Sequence, residues 1–341
     1  MRLSIVVVTY NSRPAIAAAL PALRDEMQPD DELVVVDNAS SDGTLGVVRD
    51  LAPDGVTVQT GRNAGFAVAA NIGASAASGD LLVFLNPDAT PQAGFVEAIR
   101  APAIDGRGWA AWMGLVTAEG GRVVNSSGGV LHFAGIAWAG EAGAPAPGSL
   151  TGPREVPFAS GACLAIPRAV WESAGGFAEE LFMYHEDVEL SLRLRLTGGR
   201  IGVEPRAVVV HEYEFAKGAL KWRMLERNRW TTIIRCYPGA LLLVLAPALL
   251  ATEVALLGVA AAGGWLPQKL RAMAETLLGL PRLLRERRTV QATRTISAAD
   301  FAAWLTPELN SPFLGPLARV SLIRRALRVY WRLVLTVLRG R

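Results

Sequence analysis

Ile5-Val6-Val7-Val8 running into Thr9-Tyr10-Asn11, Leu33-Val34-Val35-Val36 into Asp37-Asn38, and Leu81-Leu82-Val83-Phe84-Leu85 into Asn86-Pro87-Asp88 set the architecture of this chain. Apolar runs of this length, without polar alternation, are strands buried on both faces, the habit of a parallel sheet. Between them the pattern turns helical. Residues 13–27 are rich in Ala and Leu, with Ser12 placed to cap and Pro14 in the first turn. A second helix is expected over 45–51, a short third strand at Val56-Thr57-Val58-Gln59, and a helix over 71–78. Alternating strands and helices make a doubly wound α/β half-domain. In such sheets ligands bind beyond the carboxyl ends of the strands, so Asp37, Asn86 and Asp88 point at one crevice.

Downstream, residues 106–157 are rich in Gly and Pro, with short strands expected near 121–124 and 130–133 and a loose loop over 140–152. Long irregular stretches inside a compact domain are commonly functional, and this one is expected to face an acceptor. Regularity returns with a strand over 161–166 and a helix over 167–174 ending at Gly175-Gly176. Another helix, over 187–197, stops at Gly198-Gly199, and a strand over 207–210 delivers His211 at its end.

The chain has 341 residues, 51% of them hydrophobic, and a net charge of +3 that hides a split. From Leu266 onward there are 14 basic against 4 acidic residues, while the part before it is net acidic. A basic tail without Lys runs or RNA-reading motifs favours an anionic lipid surface and argues against nucleic acid. Residues 240–262 are apolar apart from Thr252 and Glu253, long enough for a membrane span, and broken by Pro247. Glu253 at mid-membrane and export of the basic tail both disfavour a simple crossing, so a kinked or re-entrant helical pair is expected, with a soluble hairpin as the alternative. Over 317–338 a helix would gather Arg324, Arg325, Arg328, Arg332 and Arg339 opposite Leu327, Tyr330, Val334 and Val337, a pattern suited to a lipid interface. The only cysteines, Cys163 and Cys236, lack metal or disulfide spacing and read as core thiols. No leader precedes the first strand, so a cytoplasmic body on the inner face of a membrane, peripheral or monotopic, is the expectation.

Five segments in order carry a family resemblance: Ser4 to Asn11, Val36-Asp37-Asn38-Ala39-Ser40-Ser41-Asp42-Gly43-Thr44, Asn63-Ala64-Gly65-Phe66-Ala67, Leu85-Asn86-Pro87-Asp88, and Gly176-Phe177 through Tyr184-His185-Glu186-Asp187-Val188-Glu189. Together they resemble the inverting glycosyltransferases of family 2, with the GT-A fold, nearest the rhamnosyltransferase-like branch that builds cell-surface glycans. The resemblance covers about residues 3–237. It implies an α/β GT-A catalytic domain over 1–238, followed over 239–341 by a helical membrane-associating region. It implies a nucleotide-sugar donor, with rhamnose the first guess and galactose, galactofuranose or glucose open, and a lipid-linked or polymeric glycan acceptor. Thr9, Tyr10, Asn11, Asp37, Arg62, Asn63, Asn86 and Asp88 would bind the donor.

Asp88 matches the metal residue of the family's Asp-x-Asp motif, whose first aspartate is here Asn86. An amide brings no negative charge, so affinity for Mg or Mn should be lower. His211 matches a metal-binding histidine of several members. The second acid of the pair Glu186-Asp187 matches the family's base, which leaves Glu186 to position substrate. At a helix N-terminus the dipole is expected to keep both ionised. Glu189 and Arg227 are candidates for acceptor or diphosphate contact. A degenerate GT-A scaffold in a glycan-assembly complex is the alternative, disfavoured by retention of both acids, and self-association is left open. A nucleotidyltransferase would need a Gly-rich phosphate loop that Thr9 to Pro14 does not supply.

Overall fold

In the computed structural model, which describes residues 1–146, 152–212, 218–310 and 321–340, the apolar runs are strands where expected. The first half runs β1 (Leu3–Thr9), α1 (Arg13–Glu26), β2 (Glu32–Asp37), α2 (Thr44–Leu51), β3 (Val56–Gln59), α3 (Phe66–Ala76), β4 (Leu81–Leu85), β5 (Ala89–Pro91) and α4 (Phe95–Ile104). Every residue of β1 and β4 is buried, as unalternating runs require. After α4 come β6 (Trp109–Ala118), β7 (Val123–Ser126), β8 (Gly129–Leu131), β9 (Ala137–Ala139), β10 (Arg154–Glu155), β11 (Cys163–Pro167), α5 (Arg168–Ala174), α6 (Glu186–Leu196) and β12 (Arg200–His211). Helices complete the chain: α7 (Gly218–Cys236), α8 (Gly239–Ala262), α9 (Leu266–Ala292), α10 (Ala298–Ala302) and α11 (Ser321–Arg339). Residues 147–151 of the expected loop and 317–320 of the expected basic helix lie outside the described residues.

The main sheet has the order β10-β12-β6-β11-β4-β1-β2-β3, with β5 added to β12 and β7 to β6, while β8 and β9 pair separately. The β4-β1-β2-β3 half is parallel throughout, and β11 is antiparallel to both its neighbours. The chain winds outward from β1 to β3 and returns to place β4 on the other side of β1. The carboxyl ends of β1 and β4 therefore flank a topological switch point, where a crevice opens.

Several boundaries differ from the sequence reading, each for a physical reason. Helix α3 begins at Phe66, before the expected 71, because Gly65 supplies the positive φ of 88° that starts it. Ser12 does not cap α1 with its side chain. Its Oγ instead accepts the Tyr10 N–H at 3.2 Å, and the Arg13 N–H donates to Asp42 Oδ2 at 3.0 Å. Asp42 also accepts the Thr44 N–H at 3.0 Å, so one carboxylate ties the starts of α1 and α2. Within the stretch read as irregular lies β6, a ten-residue strand buried between β11 and β12. Its Ala and Gly content conceals it: a Cβ on Gly114 would lie 2.3 Å from the Ala207 carbonyl oxygen. Strand β12 starts at Arg200, well before 207, and carries a bulge between Glu204 and Val208.

The chain divides into two compact units, Met1–Gly129 with Ala139–Ser191 and Gly199–Tyr213, and Val130–Trp138 with Leu192–Gly198 and Glu214–Arg341. The first holds the main sheet. The second is built on helices: Tyr237 is fully buried and edge-on to Phe301 at 5.5 Å, and Phe133 stacks on Trp331 at 5.2 Å. Its helix α8 is 24 residues long, and its most apolar 18 residues have mean hydropathy 2.3 and are only 17% buried, so it is apolar and long enough to cross a membrane. It runs unbroken through Pro247, where the sequence suggested a kinked or re-entrant pair. Both cysteines are buried and unbridged.

Candidate active site

The ends of β1 and β2 prepare one side of the crevice. Asp37, 4% exposed, accepts the Thr9 hydroxyl on Oδ1 at 3.1 Å and the Ser40 N–H on Oδ2 at 3.2 Å, which fixes its carboxylate at the strand end. Asn11 sits in the left-handed region at φ 49°, and its Oδ1 accepts the Ser41 N–H at 2.8 Å. Tyr10 is half exposed, leaving its ring free to stack. Asn38 organises the next loop: its Nδ2 donates to Asn63 Oδ1 at 3.0 Å and to the Gly65 carbonyl at 3.3 Å. Its Oδ1 accepts the Ala64 N–H at 2.9 Å and the Thr60 hydroxyl at 3.0 Å. Asn63 Oδ1 also accepts the Gly65 N–H at 3.1 Å, while Arg62 is exposed.

At the end of β4 the Asn86-Pro87-Asp88 turn is closed by the Ala89 N–H donating to the Asn86 carbonyl at 3.1 Å. Pairing of β5 with β12 puts His211 opposite Ala89. The result brings His211 Nε2 to 3.0 Å from Asp88 Oδ1 and 3.4 Å from Asn86 Nδ2. Asp88 is partly open to solvent and His211 is buried. One carboxylate oxygen and one imidazole nitrogen side by side are a donor set that Mg or Mn accepts, with other positions left to water or phosphate oxygens. Among the described residues no cluster of three or more His, Cys, Asp or Glu side chains forms a fuller cage.

The acids arrive on α6 after a strained approach. Phe182, Tyr184 and His185 hold φ of 63°, 68° and 67°, a left-handed run that non-glycine residues adopt only under constraint. The constraint is local packing. The Phe182 carbonyl accepts the Ala67 N–H at 3.1 Å, and a Cβ on Gly65 would lie 2.5 Å from the Phe182 ring. Beneath, Phe84, Trp171 and Phe177 form an aromatic cluster with centroids 4.6 to 5.3 Å apart. Asn71 clamps Phe177 by accepting its N–H at 2.9 Å and donating to its carbonyl at 3.0 Å.

Asp187 Oδ2 accepts the Gly161 N–H at 2.9 Å and its Oδ1 the Val188 N–H at 2.7 Å. Ala162, next to Gly161, gives its carbonyl to the Asn86 N–H at 3.1 Å. Two hydrogen bonds thus lead from the Asn86-Pro87-Asp88 turn to the Asp187 carboxylate. Glu186 is buried, and burial together with the neighbouring Asp187 charge pushes its carboxyl up to about 8. Burial raises Asp187 as well, against the pull of its backbone donors. The expectation that the helix dipole keeps both acids ionised is corrected here, because desolvation outweighs the dipole. Glu189 is fully buried, one helical turn below the loop.

Arg227 lies on α7 in the second unit, its Nε donating to Asn228 Oδ1 at 2.9 Å. Arg223 pairs with Glu275, and Arg229 with Glu226 and Glu253. The structure gathers Thr9, Asp37 and Asn11 at one strand-end cluster, Asn86, Asp88 and His211 at a second, and ties Asp187, at the head of α6, to the second through the Gly161-Ala162 loop. Sequence reading missed Gly161, whose N–H holds Asp187, and the organising role of Asn38. Only the polar residue directly after the β2 carboxylate hinted at the latter.

Residues 4–172 match the glycosyl transferase family 2 profile, and the chain carries a family 2 glycosyltransferase domain. It is 28% identical over 242 residues to the N-acetylglucosaminyl-diphospho-decaprenol L-rhamnosyltransferase of Mycobacterium tuberculosis, an alignment covering 63% of this chain and 78% of that one. It is also 28% identical over 231 residues to the O-antigen biosynthesis protein RfbC of Myxococcus xanthus, covering 63% of this chain and 18% of the relative. Among solved structures, GalNAc-T7 with UDP, GalNAc and Mn2+ superposes with TM-score 0.58 at 16% identity over 70% of this chain. The chain spans 48% of that structure's length. TarS 1–349 of S. aureus with UDP-GlcNAc superposes with TM-score 0.53 at 17% identity, covering 100% of this chain and 92% of that one. These likenesses identify the fold as GT-A.

Proposed function

We propose that the chain moves a sugar, rhamnose first among candidates, from a nucleoside-diphosphate sugar to a lipid-linked or polymeric cell-surface glycan with inversion, at the cytoplasmic face of a membrane. The observation that carries this reading is the hydrogen-bonded link from the Asn86-Pro87-Asp88 turn through Ala162 and Gly161 to Asp187. It supports a base and a diphosphate-binding turn serving one anomeric carbon from opposite sides. The rhamnosyl donor and lipid-linked acceptor are suggested by the mycobacterial relative's name.

The assignment of the acids follows from their surroundings. Asp187 receives two backbone N–H bonds that favour its ionised form, whereas Glu186 Oε2 is buried with no hydrogen-bond partner among the described residues. Adjacent acids pushed apart in this way divide their roles, one keeping a proton and the other taking one. Asp187 removes the proton from the acceptor hydroxyl as its oxygen bonds to the anomeric carbon, and the bond from that carbon to the diphosphate oxygen breaks. Glu186, protonated at neutral pH, can donate a hydrogen bond to substrate. Asp37 and the ring of Tyr10 bind nucleoside, and the loop shaped by Asn38 closes over it. Asp88 and His211 would hold a divalent ion, which when bound supplies positive charge beside the departing diphosphate.

A panel of nucleotide sugars, scored by release of nucleoside diphosphate with and without a polyprenyl-linked acceptor, tests the reading. One donor should be used in an acceptor-dependent manner by the parent chain and not by Asp187→Asn. Equal turnover by that variant would overturn the assignment of the base.

A further inference from the structure

Glu253 is the only charged residue in the 24 residues of α8, and its partners decide what that helix can do. It is held by Arg229 and by Lys269, whose Nζ lies 2.7 Å from Glu253 Oε2, and it accepts the Trp230 indole N–H at 3.0 Å. Lys269 and Arg229 also pair with Glu226, and Lys269 is fully buried. The inner side of α8 is thus clasped to α7 and α9. Its outer side is different: Leu243, Leu250 and Val254 are 67%, 68% and 64% exposed, with Ala246, Pro247, Ala251, Ala255 and Val259 completing an uncharged strip about 24 Å long.

To cross a bilayer α8 would have to break that clasp, or carry into hydrocarbon two helices studded with Arg, Lys and Glu. Beside it, the Tyr330 hydroxyl donates to the Val244 carbonyl at 2.5 Å and fastens α11 to α8. A groove of 490 Å³ on α11 is lined by Ser321, Arg324, Arg325, Arg328, Val329 and Arg332. Exposed Leu322 and Leu333 lie along the same helix, so it presents apolar and cationic groups together, the pattern of an interfacial helix.

We propose that the second unit rests on an anionic phospholipid leaflet, with α8 lying in the plane of the interface without crossing and Arg324, Arg325 and Arg332 of α11 seating headgroup phosphates, while Arg328 is held by Glu308. The claim deepens the membrane placement proposed above, and its test uses lipid alone, so the outcome does not depend on the donor, the acceptor or the base. Co-flotation of the full chain with phosphatidylcholine vesicles should rise at least tenfold when phosphatidylglycerol is included and fall with added salt. Arg325→Glu with Arg332→Glu should abolish the phosphatidylglycerol preference, and Leu250→Asp with Val254→Asp should weaken binding to both vesicles, each variant keeping the parent's melting curve. In sealed inverted membrane vesicles, Gly239→Cys and Ala262→Cys should both react with an impermeant maleimide from the outer side. Equal binding to neutral and anionic vesicles, or labelling of the two ends from opposite sides, would overturn the proposal.

Discussion

Two neighbouring carboxyls at the head of α6 cannot both carry charge cheaply where water is excluded. Asp187→Asn keeps the shape and can still accept the Gly161 N–H, but it cannot take a proton. Turnover should fall about a thousandfold while nucleotide affinity stays near the parent value, as steady-state kinetics and calorimetry would measure. Burial beside Asp187 lifts the Glu186 carboxyl from the ordinary 4.5 to about 8 in the folded chain, so the native form holds a proton that the unfolded chain releases between those limits. Stability is therefore fullest below the unfolded value and declines as pH rises toward 8. Glu186→Gln should melt with the parent near pH 5 and several degrees above it near pH 8.5, by thermal unfolding. At the other end of the crevice, His211→Ala removes one of two donors beside Asp88 and should raise the Mn2+ concentration for half-maximal turnover about tenfold, with little change at saturation.

The loop over 60–65 shows how an element depends on a single buried side chain. Asn38→Ala strips four hydrogen bonds from it, at a cost of about 1–3 kcal/mol. The expected readout is a raised KM for donor with a smaller change in kcat. Legibility in the sequence followed the same physics. The runs ending at Thr9, Asp37 and Leu85 announced themselves because burial on both faces demands unbroken Val, Ile and Leu, and the polar residues after them marked the crevice. Strand β6 was hidden because close approach of β12 replaced β-branched residues with Ala and Gly. Asp88, His211 and Asp187 were readable as strand-end and helix-start residues. Gly161 was not, since it contributes a backbone N–H that any residue owns, and neither was the neutral state of Glu186, which depends on burial and not on spacing.

At the scale of the molecule, the two units meet different tasks: sheet chemistry in one, helical packing around a charged knot in the other. Four ionised groups, Glu226, Arg229, Glu253 and Lys269, are stable there only as a set. Lys269→Met should cost about 3–5 kcal/mol by denaturant unfolding, because two carboxylates would then share Arg229 in a dry setting. Adding Glu253→Gln should recover much of the loss. Strand β12 carries a different kind of long-range dependence. Its bulge places Pro205, Arg206 and Ala207 between Glu204, opposite Gly114, and Val208, opposite Leu115, and only then does the strand reach His211. Side chains on a strand alternate faces, so removing one of those three residues with the Glu204 pairing kept would turn the imidazole away and bring Glu212 into its place beside Asp88. The metal-side histidine is thus located by a residue count between two anchored pairings, and a frame-preserving deletion far from any ligand would silence it as surely as replacing it.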